Sequence, residues 1–175
     1  MSLPELPWRE PLRLDRIGAG VERSLTADPA TRERIRVHLD LASLESLSAE
    51  LQVRPYGPGW RLTGRLNAEL AQICGITLEP LPAKLSETFT IDLVEAGKAP
   101  EPDRIEVEVS LEDDAPDIVE DGAIDLAAYV VEQLGLALDP FPRKPGAEFV
   151  PPEGPAEPSP FAVLTRLKPR DDAKG

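Results

Sequence analysis

Alternation of apolar and polar residues dominates the middle of the chain. Leu47, Ala49, Leu51 and Val53 alternate with Ser48, Glu50, Gln52 and Arg54, the period-two pattern of a strand with one wet face. Pro55-Tyr56-Gly57-Pro58-Gly59 reads as a turn. Trp60, Leu62, Gly64, Leu66, Ala68 and Leu70 then alternate with Arg61, Thr63, Arg65, Asn67, Glu69 and Ala71, the long return arm of a hairpin. Gly64 within it marks a bulge or a close backbone approach. A turn is expected at Pro80-Leu81-Pro82. Leu85, Glu87, Phe89, Ile91 and Leu93 follow in period two, with Glu87 the odd member of an apolar face. Further strands are expected at residues 104–111 and, shorter, at 117–120.

Two helices flank these strands. Asp28 followed by Pro29 has the form of an N-cap and a first helical proline, so one helix is expected near 28–39. Asp125 begins the second, near 124–135, through Leu126, Ala127, Tyr129, Val130, Gln133 and Leu134, with Gly135 close to its end. Residues 1–26 are broken by Pro4, Pro7 and Pro11 and are expected to form an extended arm. Residues 149–175 form a Pro-rich tail, and within 160–168 Phe161, Leu164 and Leu167 recur every third position. An apolar patch on such a tether either folds back on its own domain or docks on a partner. The order of elements argues an α+β fold over residues 27–148, with an antiparallel sheet that is open or curled into a partial barrel.

Charge changes the functional picture because it is uneven. The formal net charge is −13. Residues 99–139 hold thirteen acids against the single base Arg104, so nearly all the excess lies in one segment. Phosphate backbones repel such a surface. The arginines of the first 36 residues (Arg9, Arg13, Arg16, Arg23, Arg32, Arg34, Arg36) are interspersed with acids and form no stripe. No apolar run of about 18 residues is present to span a bilayer, and the start MSLPELPWREPLRL lacks a secretory pattern. One cysteine fits a reducing compartment. A cytoplasmic protein is expected.

Candidate chemistry is sparse. The chain has one cysteine, Cys74, and one histidine, His38, too few for a four-ligand zinc site. A cysteine nucleophile needs a base and a lowered pKa, and whether His38 partners Cys74 is not readable from spacing. The block Glu112-Asp113-Asp114-Ala115-Pro116-Asp117 reads as a solvated acidic loop. No phosphate-binding glycine loop, dinucleotide fingerprint or serine-hydrolase elbow occurs. No cofactor and no enzymatic activity are expected.

Three stretches carry a family resemblance. They are Gln72-Ile73-Cys74-Gly75-Ile76-Thr77-Leu78-Glu79-Pro80, then Gly122-Ala123-Ile124-Asp125-Leu126 with Glu132-Gln133-Leu134, and Leu136-Ala137-Leu138-Asp139-Pro140-Phe141-Pro142-Arg143-Lys144-Pro145-Gly146. Their order over about residues 25–148 resembles the YceD family of large ribosomal RNA subunit accumulation proteins, and the closing 160–168 segment resembles its proteobacterial branch. Many members place Arg-Cys before Leu-Glu-Pro, whereas here Gly75, Ile76 and Thr77 follow Cys74. Some members carry a closing cysteine cluster where this chain has Pro142-Arg143-Lys144-Pro145-Gly146, so no metal role carries over.

The resemblance implies a non-enzymatic accessory role in large-subunit rRNA accumulation. The acidic balance favours a basic ribosomal protein or assembly factor as partner, with contact to rRNA indirect. Glu79, Asp125, Glu132, Asp139, Arg143, Lys144, Phe161, Leu164 and Leu167 are the candidate partner-binding residues. Two other readings stand beside it. One is direct RNA binding through Arg9–Arg36 with Arg61, Arg65, Arg143 and Lys144; the other is a Cys74-dependent enzyme.

Overall fold

The computed structural model describes residues 6–97 and 115–149. The expected strand at 104–111 and the tail segment 160–168 lie outside the described residues. In chain order the elements are β1 (Pro11–Arg13), a 3-10 turn (Leu14–Arg16), β2 (Val21–Thr26), α1 (Pro29–His38), β3 (Ser43–Tyr56) and β4 (Gly59–Ile73). Then come β5 (Pro80–Glu95), β6 (Asp117–Val119), β7 (Ala123–Asp125) and α2 (Leu126–Ala137). Strands β2-β3-β4-β5-β6 form one sheet, antiparallel except for the β5–β6 pair, and β1 and β7 form a second, two-stranded one. The α+β class holds, and the sheet is open, with β2 and β6 at its edges.

The sheet buries the face that the alternation marks. Leu47, Ala49, Leu51 and Val53 of β3 and Leu62, Leu66, Ala68 and Leu70 of β4 are all buried. Against them packs α2, whose buried Leu126, Ala127, Val130, Val131 and Leu134 form a stripe at helical spacing. In α1, the Asp28 carboxylate accepts from Thr31 N at 2.7 Å, as its cap role requires, and Ile35 points inward with no exposure. The β3–β4 loop is the two residues Gly57-Pro58. Gly57 at φ 54° followed by a φ-locked proline has the sign pattern of a type II′ hairpin turn.

Gly64 resolves as a close approach. It lies in register between Leu51 and Phe89, and a methyl group on it would collide with the Phe89 ring and the Leu51 side chain. The bulge sits instead at Glu45, where the β3 register slips between Leu44 and Ser46. That extra residue lets Leu44 and Leu47, three apart, both face inward.

Two expectations are corrected. The described part of the expected arm, residues 6–26, is not simply an arm. Within them β1 pairs with β7, β2 forms a sheet edge, and Leu12, Ile17 and Leu25 are buried. The alternation in β2 is obscured because Arg23 occupies an inward-phase position opposite Leu51 yet stays exposed. Pro80-Leu81-Pro82 is not the turn. Both prolines belong to β5, opposite Ile73 and Ala71, and the turn falls earlier, at residues 75–77. Among the described residues the other side of β5 pairs only over Leu93–Glu95, so an N–H absent from that edge leaves no ladder bond unmade.

Candidate functional site

The β4–β5 connection folds around one sulfur. Cys74 N donates to Glu79 O at 2.9 Å, and Leu78 N donates to Cys74 O at 3.0 Å, closing a loop in which Leu78 takes the left-handed φ of 60°. The Cys74 Sγ accepts from Ile76 N at 3.5 Å, Thr77 N at 3.4 Å and Lys144 N at 3.4 Å. Cys74 is wholly buried.

The third donor comes from far along the chain, and it is one of several ties. After α2, residues 138–147 cross the β4–β5 turn as a strap. Gln72 Nε2 donates to Asp139 O at 2.8 Å, and Asp139 N returns a bond to Gln72 Oε1 at 3.3 Å. Gly75 N donates to Pro142 O at 2.9 Å. Lys144 Nζ meets Glu79 Oε2 at 2.8 Å, and the Thr77 hydroxyl donates to the same oxygen at 3.1 Å. The Asp139 carboxylate accepts from Phe141 N at 2.9 Å and shapes the strap locally. Three motif residues, Glu79, Asp139 and Lys144, therefore converge with Cys74 at one end of the sheet.

Electrostatics follow the geometry. The Thr77 hydroxyl and N–H, then the Lys144 and Ile76 N–H groups, hold the Cys74 thiol down at about 6, while burial pushes the other way. The Thr77 hydroxyl has one proton, and Glu79 Oε2 competes for it, so the backbone donors are the dependable part of this effect. Lys144, then Thr77, lowers the Glu79 carboxyl, and Glu79 raises Lys144. Both partners of that pair are about half exposed, so water screens it and it orients more than it stabilises.

This arrangement ties the β4–β5 turn to the strap. The sulfur is closed to water and has no hydrogen bond to His38, which instead lines a groove with Trp8 and Arg34. Among the described residues no group of three or more His, Cys, Asp or Glu side chains could hold a metal ion.

The remaining candidates lie elsewhere. Asp125 caps α2, its Oδ1 accepting from Ala128 N at 3.4 Å and from Glu10 N at 2.9 Å, and its Oδ2 faces Arg9 Nε at 3.5 Å. Glu132 is exposed on α2. Together with Asp117 it raises the Tyr129 phenol, although burial is the larger cause, so these two acids flank one ring. Glu120 and Asp121, also exposed, follow in the turn between β6 and β7. Arg143 is exposed on the strap. Phe161, Leu164 and Leu167 are outside the described residues. Gln72 and Thr77 escaped selection from sequence. For Gln72 the available signal was a polar residue on the inward phase of β4, opposite Leu81.

The family described as large ribosomal RNA subunit accumulation protein YceD matches residues 62–168. The chain belongs to the YceD family. The matched span takes in the Cys74 turn, the strap and the 160–168 segment, whereas α1 and β3 precede it. No curated protein and no solved structure matches the chain. The family name points to a role in accumulation of the large ribosomal subunit, and no helix among the described residues is long and apolar enough to cross a membrane.

Proposed function

We propose that this YceD-family chain is a non-enzymatic accessory factor for large-subunit rRNA accumulation, working in the cytoplasm mainly through protein contacts. The observation that carries this reading is the exposed acidic face around Tyr129. Asp117 and Glu132 flank that ring, Glu120 and Asp121 are exposed in the turn that follows β6, and among the described residues none of the four is in an ion pair. The exposed Ile118 follows Asp117 on β6. Unneutralised carboxylates around an apolar side chain suit a basic ribosomal protein or assembly factor, and they repel phosphate.

Direct RNA binding has less support. Arg9, Arg13, Arg36 and Arg61 face Asp125, Asp15, Glu33 and Asp92 respectively, and Arg61 also stacks on Tyr56 with its guanidinium carbon 3.4 Å from the ring centre. Arg32 and Arg34 donate to the backbone carbonyls of Glu45 and Pro7. These guanidiniums serve their own fold from several elements.

The test is complementation of a deletion strain with a Glu120→Lys/Glu132→Lys chain, reading the ratio of large- to small-subunit rRNA. A chain that folds normally but leaves the large-subunit rRNA depleted supports the reading. Full complementation by a chain of reversed charge overturns the acidic-contact mechanism.

A further inference from the structure

The strap end of the domain leaves an apolar groove in water. Leu39, Leu41, Ile73, Leu136, Leu138 and Pro142 line a space of about 650 Å³ between the end of α1, the end of β4 and the last turn of α2. Leu136 is 72% exposed, and Phe141, next to Pro142 on the strap, is 76% exposed. Isolated apolar side chains on a surface need no explanation, but a lined groove of them does. Its rim is acidic: Asp40 and Asp139 border it, and Glu132 lies one helical turn before Leu136 on the same side of α2.

We propose that this groove is the seat of the chain's own segment 160–168, with Phe161, Leu164 and Leu167 filling it. Three observations select this occupant. The first is reach. Lys144 N is fixed at 3.4 Å from Cys74 Sγ, Ala147 N closes a turn onto Lys144 O at 3.0 Å, and the described chain ends at Phe149. The eleven residues that follow Phe149, through Pro160, span up to about 36 Å when extended, so the segment reaches the groove without strain. The second is charge. Residues 160–170 carry Arg166, Lys168 and Arg170 and no acid, the complement of the Asp40 and Asp139 rim. The third is extent. The family match begins in β4 and runs to residue 168, so the last apolar position of the segment lies inside the same matched unit as the groove's β4, α2 and strap walls.

A benzophenone amino acid at position 164 of the full-length chain tests this. Irradiation should yield an intrachain crosslink to peptides carrying Ile73 or residues 135–142, mapped by mass spectrometry. The product should be lost in an Ile73→Asp/Leu136→Asp chain. Both side chains are exposed, so the substitutions should spare the fold, and an unchanged urea midpoint checks that. A crosslink that avoids the groove, or no intrachain crosslink at all, overturns the proposal. A crosslink to a second copy, with yield falling on dilution, assigns the groove to a partner chain and overturns it equally.

Discussion

Asp125 is the motif residue whose role the structure defines most sharply, and replacing it with alanine tests that role. Three contacts disappear together: the cap to Ala128 N at 3.4 Å, the bond from Glu10 N at 2.9 Å, and the approach of Arg9 at 3.5 Å. Loss of an N-cap costs about 1 kcal/mol. Loss of a bond from a backbone N–H to an ionised acceptor costs about 1.5 kcal/mol. Arg9 is mostly exposed, so its contact adds little and fades with salt. The expected destabilisation is therefore about 2–3 kcal/mol, or roughly 5–10 °C in Tm for a chain of this size. Asn caps as well as Asp, so Asp125→Asn should stay within about 1 kcal/mol of the wild type. The assay is urea unfolding followed by fluorescence of the two tryptophans, Trp8 and Trp60; Trp8 adjoins the Arg9-Glu10 segment that Asp125 holds. An alanine variant as stable as the wild type would refute the structural role and return Asp125 to the list of partner contacts. So would an asparagine variant as unstable as the alanine one.

Other consequences concern the turn, the sheet and the strap. The thiol is lower in the folded state than its ordinary value of 9.0, at about 6. Its stabilisation is therefore complete above pH 9, shrinks as pH falls, and is gone below about 6. The wild type should lose urea resistance from pH 9 to 6 relative to Cys74→Ala, and parallel profiles for the two chains would show that no buried thiolate exists. Gly64→Ala should destabilise by roughly 1–3 kcal/mol through collision with Phe89 and Leu51, again read from urea midpoints. Gln72→Ala removes two ties to Asp139, so hydrogen exchange at the Gly75 and Lys144 amides should accelerate several-fold while exchange in β3 and β4 stays slow.

Local signals in the sequence went a long way here. Asp28-Pro29 fixed the start of α1, and the Leu47–Val53 and Trp60–Leu70 alternation marked the central hairpin and its buried face. What escaped depended on geometry that local pattern does not encode. The bulge at Glu45 shifts the phase of β3, so its first residues do not continue the alternation seen after Leu47. β2 hides behind an arginine at an inward position. The site itself was legible only as separate motifs. Glu79, Asp139 and Lys144 carried family resemblance, but the bonds that unite them with Gln72 and Cys74 span 65 to 70 residues. Cys74 had no partner readable from spacing, and the structure gives it three donors in the turn and strap.

The most direct measurement is capture of partners by the tagged chain from gently lysed cells at about 0.1 M and 0.5 M salt, a range over which exposed charge contacts are progressively screened. Retained proteins and RNA are identified, with the Glu120→Lys/Glu132→Lys chain run alongside. Large-subunit precursors or their basic proteins should be retained by the wild type at low salt, diminish at high salt, and be lost with the reversed charges. Retention of a metabolic enzyme alone, or of naked RNA equally by both chains, would contradict the acidic-contact role in large-subunit accumulation.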